Sequence, residues 1–114
     1  MQKALKVRLR DILNIELLAG VEVIAGESGM DKVITSVNVM EVPDIIDWVR
    51  PGELLLTTAY SFADNVEALN TLIPLLVEKG VCGMGIKVKR YIDELPQSVL
   101  KTANKLDFPI IKIP

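Results

Sequence analysis

The chain has 114 residues, of which half are hydrophobic and a quarter charged, with a net charge of −2. This composition is typical of one soluble domain, and its acidic balance argues against nucleic-acid binding, which usually shows as a basic excess. The chain has no histidine and a single cysteine. Their scarcity excludes Ser-His-Asp and Cys-His catalysis and most zinc sites, so we predict no catalytic residue, no metal and no cofactor, and not an enzyme.

The sequence also favours a cytoplasmic protein over a membrane or secreted one. No uncharged run is long enough to span a bilayer, and the charged stretch 1–10 lacks the apolar core of a signal peptide. We expect one domain over residues 1–114. The chain stops directly after a predicted strand, which we interpret as a domain taken from a longer protein.

In the first half of the chain, one helix precedes two strands. Helical spacing of Leu and Ile predicts an amphipathic helix over residues 7–18. A β-branched run predicts a strand over 21–25, and alternation predicts another over 33–42, which Pro43 ends because proline has no N–H for a ladder. Residues 44–49 could form one helical turn.

The second half alternates strands and helices. A buried strand is predicted over 53–58, a helix over 64–79, a strand over 81–87, a helix over 96–106 and a last strand over 108–113. This order predicts parallel pairing with right-handed crossovers. The fold class is therefore α/β, a single three-layer-like domain with a mostly parallel sheet of about five strands and flanking helices.

Three residues bear on the ends and course of the first long helix. Asp64 can cap its N-terminus, and Gly80 is suited to follow its C-terminus. Pro74 conflicts with the helical pattern, because an interior proline removes a hydrogen bond and clashes with the preceding turn, so we expect a kink or a restart there.

A long central motif resembles a known family. The stretch Val39-Met-Glu-Val-Pro-Asp44, then Trp48, then Pro51-Gly-Glu-Leu-Leu-Leu-Thr-Thr58 is similar to the N-terminal domain of the purine catabolism regulator-like family of bacterial transcription regulators. Gly80-Val81 and Phe108-Pro109-Ile110 also resemble that family. The predicted strand-turn-strand passage is also similar, more weakly, to the N-terminal domains of HPr kinase and the Mur ligases, and this likeness concerns fold more than function.

The resemblance implies a regulatory domain that acts with a helix-turn-helix portion at the far C-terminus of a full-length regulator. No segment of this chain resembles that element, so we expect no direct DNA binding by this chain. A purine-pathway metabolite is the effector that the family implies.

Polar side chains follow several predicted strands, where ligands bind in open parallel sheets. The candidate ligand-binding residues are Glu41, Asp44, Thr57, Thr58, Tyr60 and Lys87. Each of these residues also has a purely structural explanation. Asp44 can cap the turn that follows it, the threonines are ordinary strand residues, and nearby Glu53 can pair with Arg50 as an exposed turn contact.

Two functions remain open on this evidence. One is a signal-input module that senses a small metabolite or a partner domain. The other is a dimerisation or interaction module with no small-molecule ligand, with Trp48 and Ile45 as candidate interface residues because Trp buries a large area among apolar neighbours. Cys82 lies in an apolar run and is predicted to be a buried, unreactive thiol.

Overall fold

A computed structural model describes residues 7–14, 20–41, 45–58, 65–87 and 95–113. It shows a five-stranded sheet, a two-stranded sheet and two α-helices. The strands are β1 (Val7–Arg8), β2 (Glu22–Ala25), β3 (Val33–Ile34), β4 (Ser36–Val39), β5 (Glu53–Thr57), β6 (Gly83–Lys87) and β7 (Ile110–Ile113). The helices are α1 (Leu69–Glu78) and α2 (Gln97–Lys105).

The larger sheet is mostly parallel, as the sequence predicts. Its order is β2-β7-β6-β5-β4, and the pairs β4–β5, β5–β6 and β6–β7 are parallel. Only β2 is antiparallel to its neighbour, β7. The register aligns Leu55 with Met84 and Met84 with Ile110, so the three central strands present an apolar row to the helices.

The prediction of a single strand over residues 33–42 needs correction. The described part of this range forms two short strands, β3 and β4, because the chain changes partner at Thr35: β3 pairs antiparallel with β1, whereas β4 pairs parallel with β5. The strands β2 and β4 lie at opposite edges of the sheet, since β7, β6 and β5 separate them.

The predicted helix over residues 7–18 is also corrected. Residues 7–14 form β1 and then a 3-10 segment, Leu9–Asn14, and residues 15–18 lie outside the described residues. The backbone N–H of Leu9 donates to the carbonyl of Lys32 at 3.0 Å, and that of Arg10 to the carbonyl of Met30 at 2.8 Å. These contacts tie the start of the 3-10 segment to residues 30–32, where helical spacing alone predicts the first turns of an α-helix.

Both long helices are confirmed with shorter bounds. A 3-10 segment, Val66–Ala68, leads into α1, and Asp64 lies outside the described residues. The helix is continuous through Pro74, so the expected restart is not observed. Gly80 follows α1 with φ of +84°, and the next N–H, of Val81, donates to the carbonyl of Leu76 at 3.0 Å, as at a Schellman C-terminus.

The sheet is covered differently on its two faces. On one face, α1 and α2 pack on a cluster that includes Leu55, Met84 and Ile110. On the other, a smaller cluster joins Leu9, Met30, Leu54, Cys82 and Ile111. The N-terminal segment lies over β6 there: a Cβ built on Gly83 would lie 3.2 Å from Cδ1 of Leu9. Helices, sheet and this segment give the three layers.

Candidate functional site

The carboxylate of Glu41 joins the C-terminal ends of two parallel strands. Glu41 follows β4, and its Oε1 accepts a hydrogen bond from the backbone N–H of Thr58 at 2.8 Å. The hydroxyl of Thr57 donates to the same oxygen, and the hydroxyl of Thr58 donates to Oε2. Three of the six predicted site residues therefore form one hydrogen-bonded group.

The parallel register explains why this group forms. Val39 lies opposite Leu56, and the N–H of Met40 donates to the carbonyl of Leu56 at 3.0 Å. Strands β4 and β5 therefore end side by side, and Glu41 arrives next to the residues that end β5. The sequence prediction that polar groups following successive strands meet at one sheet edge is confirmed for Glu41, Thr57 and Thr58.

Lys87 lies on the next strand at the same edge. Thr57 is aligned with Ile86, so Lys87 is one position further along β6, and its side chain is exposed. Within the described residues it forms no ion pair with Glu41; the salt bridge found there joins Arg10 and Asp31 elsewhere. The Lys87 ammonium is therefore a hydrogen-bond donor at this edge with access to solvent.

The environment keeps Glu41 ionised. Burial raises the pKa of Glu41, but the hydrogen bonds from Thr57 and Thr58 together outweigh burial and hold that pKa below its ordinary value. The carboxylate is thus negative at neutral pH. Its oxygens already accept the donors of the two threonines, and the hydroxyl oxygen of the half-buried Thr58 is an acceptor that another molecule could contact.

The two other candidates cannot be placed. Asp44 and Tyr60 lie outside the described residues, whereas the turn that Asp44 was expected to cap is described and is the 3-10 segment Ile45–Asp47. Their membership of the site stays a prediction. In the described part of the chain, no group of three acidic or cysteine side chains could hold a metal ion.

The two candidate interface residues differ in exposure. Ile45 is fully buried in the core between the sheet and the helices, whereas the side chain of Trp48 is 61% exposed. Trp48 follows the 3-10 segment Ile45–Asp47, which connects β4 to β5. Of the pair, Trp48 is the residue that a partner could reach.

The sequence interpretation of Glu53 is wrong. Glu53 is buried at the N-terminal end of β5, the opposite end from Glu41. Its Oε1 accepts the backbone N–H of Arg50 at 2.8 Å and the side-chain amide of Asn38 at 3.1 Å. The partners of this carboxylate are thus the backbone of Arg50 and the side chain of Asn38, and the contact is buried instead of exposed.

Sequence reasoning also missed an exposed pair of valines. Val37 and Val39 on β4 are 55% and 72% exposed. They are alternate residues of one strand, so they share a face of the sheet. The alternation of residues 33–42 was the available signal, but it could not tell which of its two faces would meet solvent.

The described helices include none that is long and apolar enough to cross a membrane.

Two curated proteins that resemble this chain are both named as regulators. The chain is 36% identical over 108 residues to the purine catabolism regulatory protein of Bacillus subtilis (strain 168), an alignment that covers 95% of this chain and 20% of that protein. It is 24% identical over 103 residues to the transcriptional activator PmfR of Paenarthrobacter nicotinovorans, with 90% and 22% covered.

The chain thus spans about a fifth of the length of these curated relatives. The model of the purine catabolism regulatory protein-like family matches residues 11–114, a range that contains all three residues of the Glu41 group. That match takes in all but the first ten residues, and the chain belongs to the purine catabolism regulatory protein-like family.

Proposed function

We propose that this domain is the signal-input module of a bacterial transcription regulator of the purine catabolism type, and that it binds a small polar metabolite where β4, β5 and β6 end. Membership of the family and the names of the two relatives support the regulatory role. The observation that carries the binding site is the Glu41 carboxylate held between Thr57 and Thr58 at the C-terminal edge of a parallel sheet, where such sheets bind ligands.

The chemistry of this edge fits a heterocycle that has both donors and acceptors. The hydroxyl oxygen of the half-buried Thr58 can accept a hydrogen bond, and the ammonium of the exposed Lys87 can donate one. The negative charge of Glu41 lies beside these groups, so a neutral or cationic donor is preferred next to the threonines. A purine-pathway metabolite, which the family name suggests, has this mixture of groups.

The regulatory output then passes to the rest of the regulator. We infer a C-terminal helix-turn-helix portion as the partner, because the relatives are about five times longer than the aligned region. A ligand that donates to the hydroxyl oxygen of Thr58 contacts the same group that donates to Glu41, and the bond from Thr58 to Glu41 joins the ends of β4 and β5. Ligand binding would thereby change how firmly the edge strand is held.

A thermal-shift screen against purine bases and nucleosides tests the proposal. A ligand that binds only the folded state raises the melting temperature, by the equivalent of about 2.7 kcal/mol at a hundred times its Kd. Each compound that raises it is then titrated by calorimetry into the parent, Thr58→Val and Lys87→Met. We expect affinity to fall by about tenfold, or 1.4 kcal/mol, in each variant.

Thr71→Val is the matched control, because Thr71 is exposed on α1 and lies outside the strand-end group. It should bind like the parent. If no compound in the panel shifts the melting temperature, binding of a purine is refuted. If a ligand binds the three variants and the parent equally, the ligand site lies elsewhere and Glu41, Thr57 and Thr58 serve only to tie two strands together.

A further inference from the structure

We propose that the site where β4, β5 and β6 end selects a lactam edge, an N–H next to a C=O in a planar ring, because Glu41 fixes the direction of the hydrogen bond that Thr58 can make. An amino-substituted ring, whose amidine edge has the donor and the acceptor exchanged, is rejected. The ligand is the metabolite of the proposed function, on which this selectivity rests. Glu41 is then a positioning residue, which acts on the ligand through Thr58.

Three polar residues form one row across the ends of the parallel strands: Glu41, Thr58 and Lys87. The residues two positions earlier are aligned in register on β4, β5 and β6, and they are Val39, Leu56 and Gly85. Because side chains alternate between the faces of a sheet, the register places the whole row on one face. Neighbouring strands are about 5 Å apart, so a ligand of the size of one ring can reach Thr58 and Lys87 together.

The sheet face next to this row is apolar. A Cβ built on Gly85 would lie 2.6 Å from Cδ2 of Leu56 and 3.0 Å from Cδ1 of Ile113, so these two side chains converge over the glycine. Both side chains are half-buried. A planar ring that bonds to Thr58 and Lys87 can therefore rest on Leu56 and Ile113, as small-molecule sites combine an apolar wall with a few polar groups.

The hydroxyl hydrogen of Thr58 is committed to Glu41. That hydroxyl donates to Oε2 of Glu41, and the backbone N–H of Thr58 donates to Oε1 at 2.8 Å. An ionised carboxylate accepts hydrogen bonds and has no proton to donate, and the lowered pKa of Glu41 keeps it ionised at neutral pH. Towards a ligand, the hydroxyl oxygen of Thr58 is therefore an acceptor.

Lys87 has the opposite polarity. Its side chain is exposed, and its ammonium donates hydrogen bonds and accepts none. Thr58 and Lys87 thus present an acceptor beside a donor, and the complementary ligand edge has a donor beside an acceptor, as the N–H and C=O of a lactam do. An amidine edge would set acceptor against acceptor and donor against donor. Both hydrogen bonds are then lost and the polar groups of the site are left unpaired.

Hypoxanthine and adenine test this selectivity, because the two bases differ only at this edge. Hypoxanthine has an N–H and a C=O where adenine has a ring nitrogen and an amino group. Each base is titrated into the 114-residue chain, and its Kd and its place of binding are read from the backbone amide resonances of Thr58 and Lys87 by NMR. We expect hypoxanthine to bind at least about tenfold more tightly, because polar groups left unpaired at a partly buried site cost on that order.

Glu41→Gln keeps the shape of the side chain and releases the hydroxyl hydrogen of Thr58. The amide oxygen takes the place that accepts the N–H of Thr58, and the amide NH2 then donates to the Thr58 hydroxyl. That hydroxyl can now donate to the ring nitrogen of adenine, so the preference for hypoxanthine should fall to roughly threefold or less. Thr58→Ser retains the hydroxyl and should retain the preference. The control Thr71→Val, exposed on α1, should retain it as well.

The outcomes separate this selectivity from the proposed function. If adenine binds the parent as tightly as hypoxanthine does, with shifts at Thr58 and Lys87, the lactam preference is overturned and the metabolite site stands. A preference that is equal in the parent and in Glu41→Gln overturns the positioning role of Glu41, since a residue that only ties two strands together changes both affinities alike. Absence of any shift at millimolar base, or shifts confined to other resonances, overturns the purine site and the selectivity together.

Discussion

Gly52 offers the sharpest test of the structure, because two separate effects oppose any side chain there. Gly52 has φ of +83°, a conformation that costs an L residue about 1–2 kcal/mol. A Cβ at this position would also lie 2.3 Å from Oγ1 and 2.8 Å from Cγ2 of Thr35. The turn itself is held by the N–H of Glu53, which donates to the carbonyl of Arg50 at 3.3 Å.

The expected destabilisation of Gly52→Ala follows from these terms. Alanine reduces the entropy of the unfolded chain, which offsets about 0.4–1 kcal/mol of the backbone strain. Moving the Thr35 side chain off its rotamer costs a further ~0.5–1.5 kcal/mol. We therefore expect Gly52→Ala to lower the free energy of unfolding by about 0.5–3 kcal/mol, which corresponds to roughly 4 °C in melting temperature for each kcal/mol.

Gly80→Ala separates the two effects. Gly80 has nearly the same φ, +84°, but its Cβ would meet Cβ of Pro51 at 3.1 Å and no closer atom. It should cost about 1 kcal/mol less than Gly52→Ala, since only the backbone strain is shared. In a Thr35→Ala background the difference between the two glycine variants should shrink.

Urea unfolding followed by circular dichroism measures all of these variants, provided that the slope m is unchanged. An unaltered midpoint for Gly52→Ala would mean that its φ is not positive. Equal losses for Gly52→Ala and Gly80→Ala would refute the role assigned to the Thr35 side chain.

Three further predictions concern the thiol, the carboxylate and nucleic acid. The thiol of Cys82 donates to the carbonyl of Val33 at 3.2 Å, and burial raises its pKa more than Lys32 lowers it. A thiol reagent should therefore react much faster with the unfolded chain than with the native chain. Equal rates would place the thiol at the surface. The pKa of Glu41 in the folded chain is lowered from the usual 4.5, so the contribution of this carboxylate to the free energy of unfolding is complete above pH 4.5 and is lost as the pH falls through the folded-state pKa. The stability advantage of the parent over Glu41→Gln should therefore shrink below about pH 4.5. A difference in stability that does not change with pH would contradict the assignment. Duplex DNA should not be retained specifically by this chain in a gel shift at physiological salt, because the net charge is −2.

Local patterns in the sequence predict much of the fold. The successive leucines of β5 have no polar face, which indicates a strand buried on both sides, and the alternation of strands and helices after it requires parallel crossovers. Pro51-Gly52 and Gly80 mark two positions with positive φ for reasons that are purely local. The sequence also predicts that Glu41 and Thr58 lie close together, because neighbouring parallel strands end at the same edge of the sheet.

Only the tertiary structure decides which distant residues bond to a backbone segment and which strand face is left exposed. The segment after Val7 has the spacing of an α-helix, yet it forms a 3-10 segment. Its first two N–H groups, of Leu9 and Arg10, donate to the carbonyls of Lys32 and Met30, twenty or more positions away in sequence. Val37 and Val39 alternate like any half-buried strand, and only the sheet order, which places β4 at an edge, leaves them exposed. The alternation of a strand shows which residues share a face, whereas the burial of that face depends on which elements from elsewhere in the sequence lie beside it.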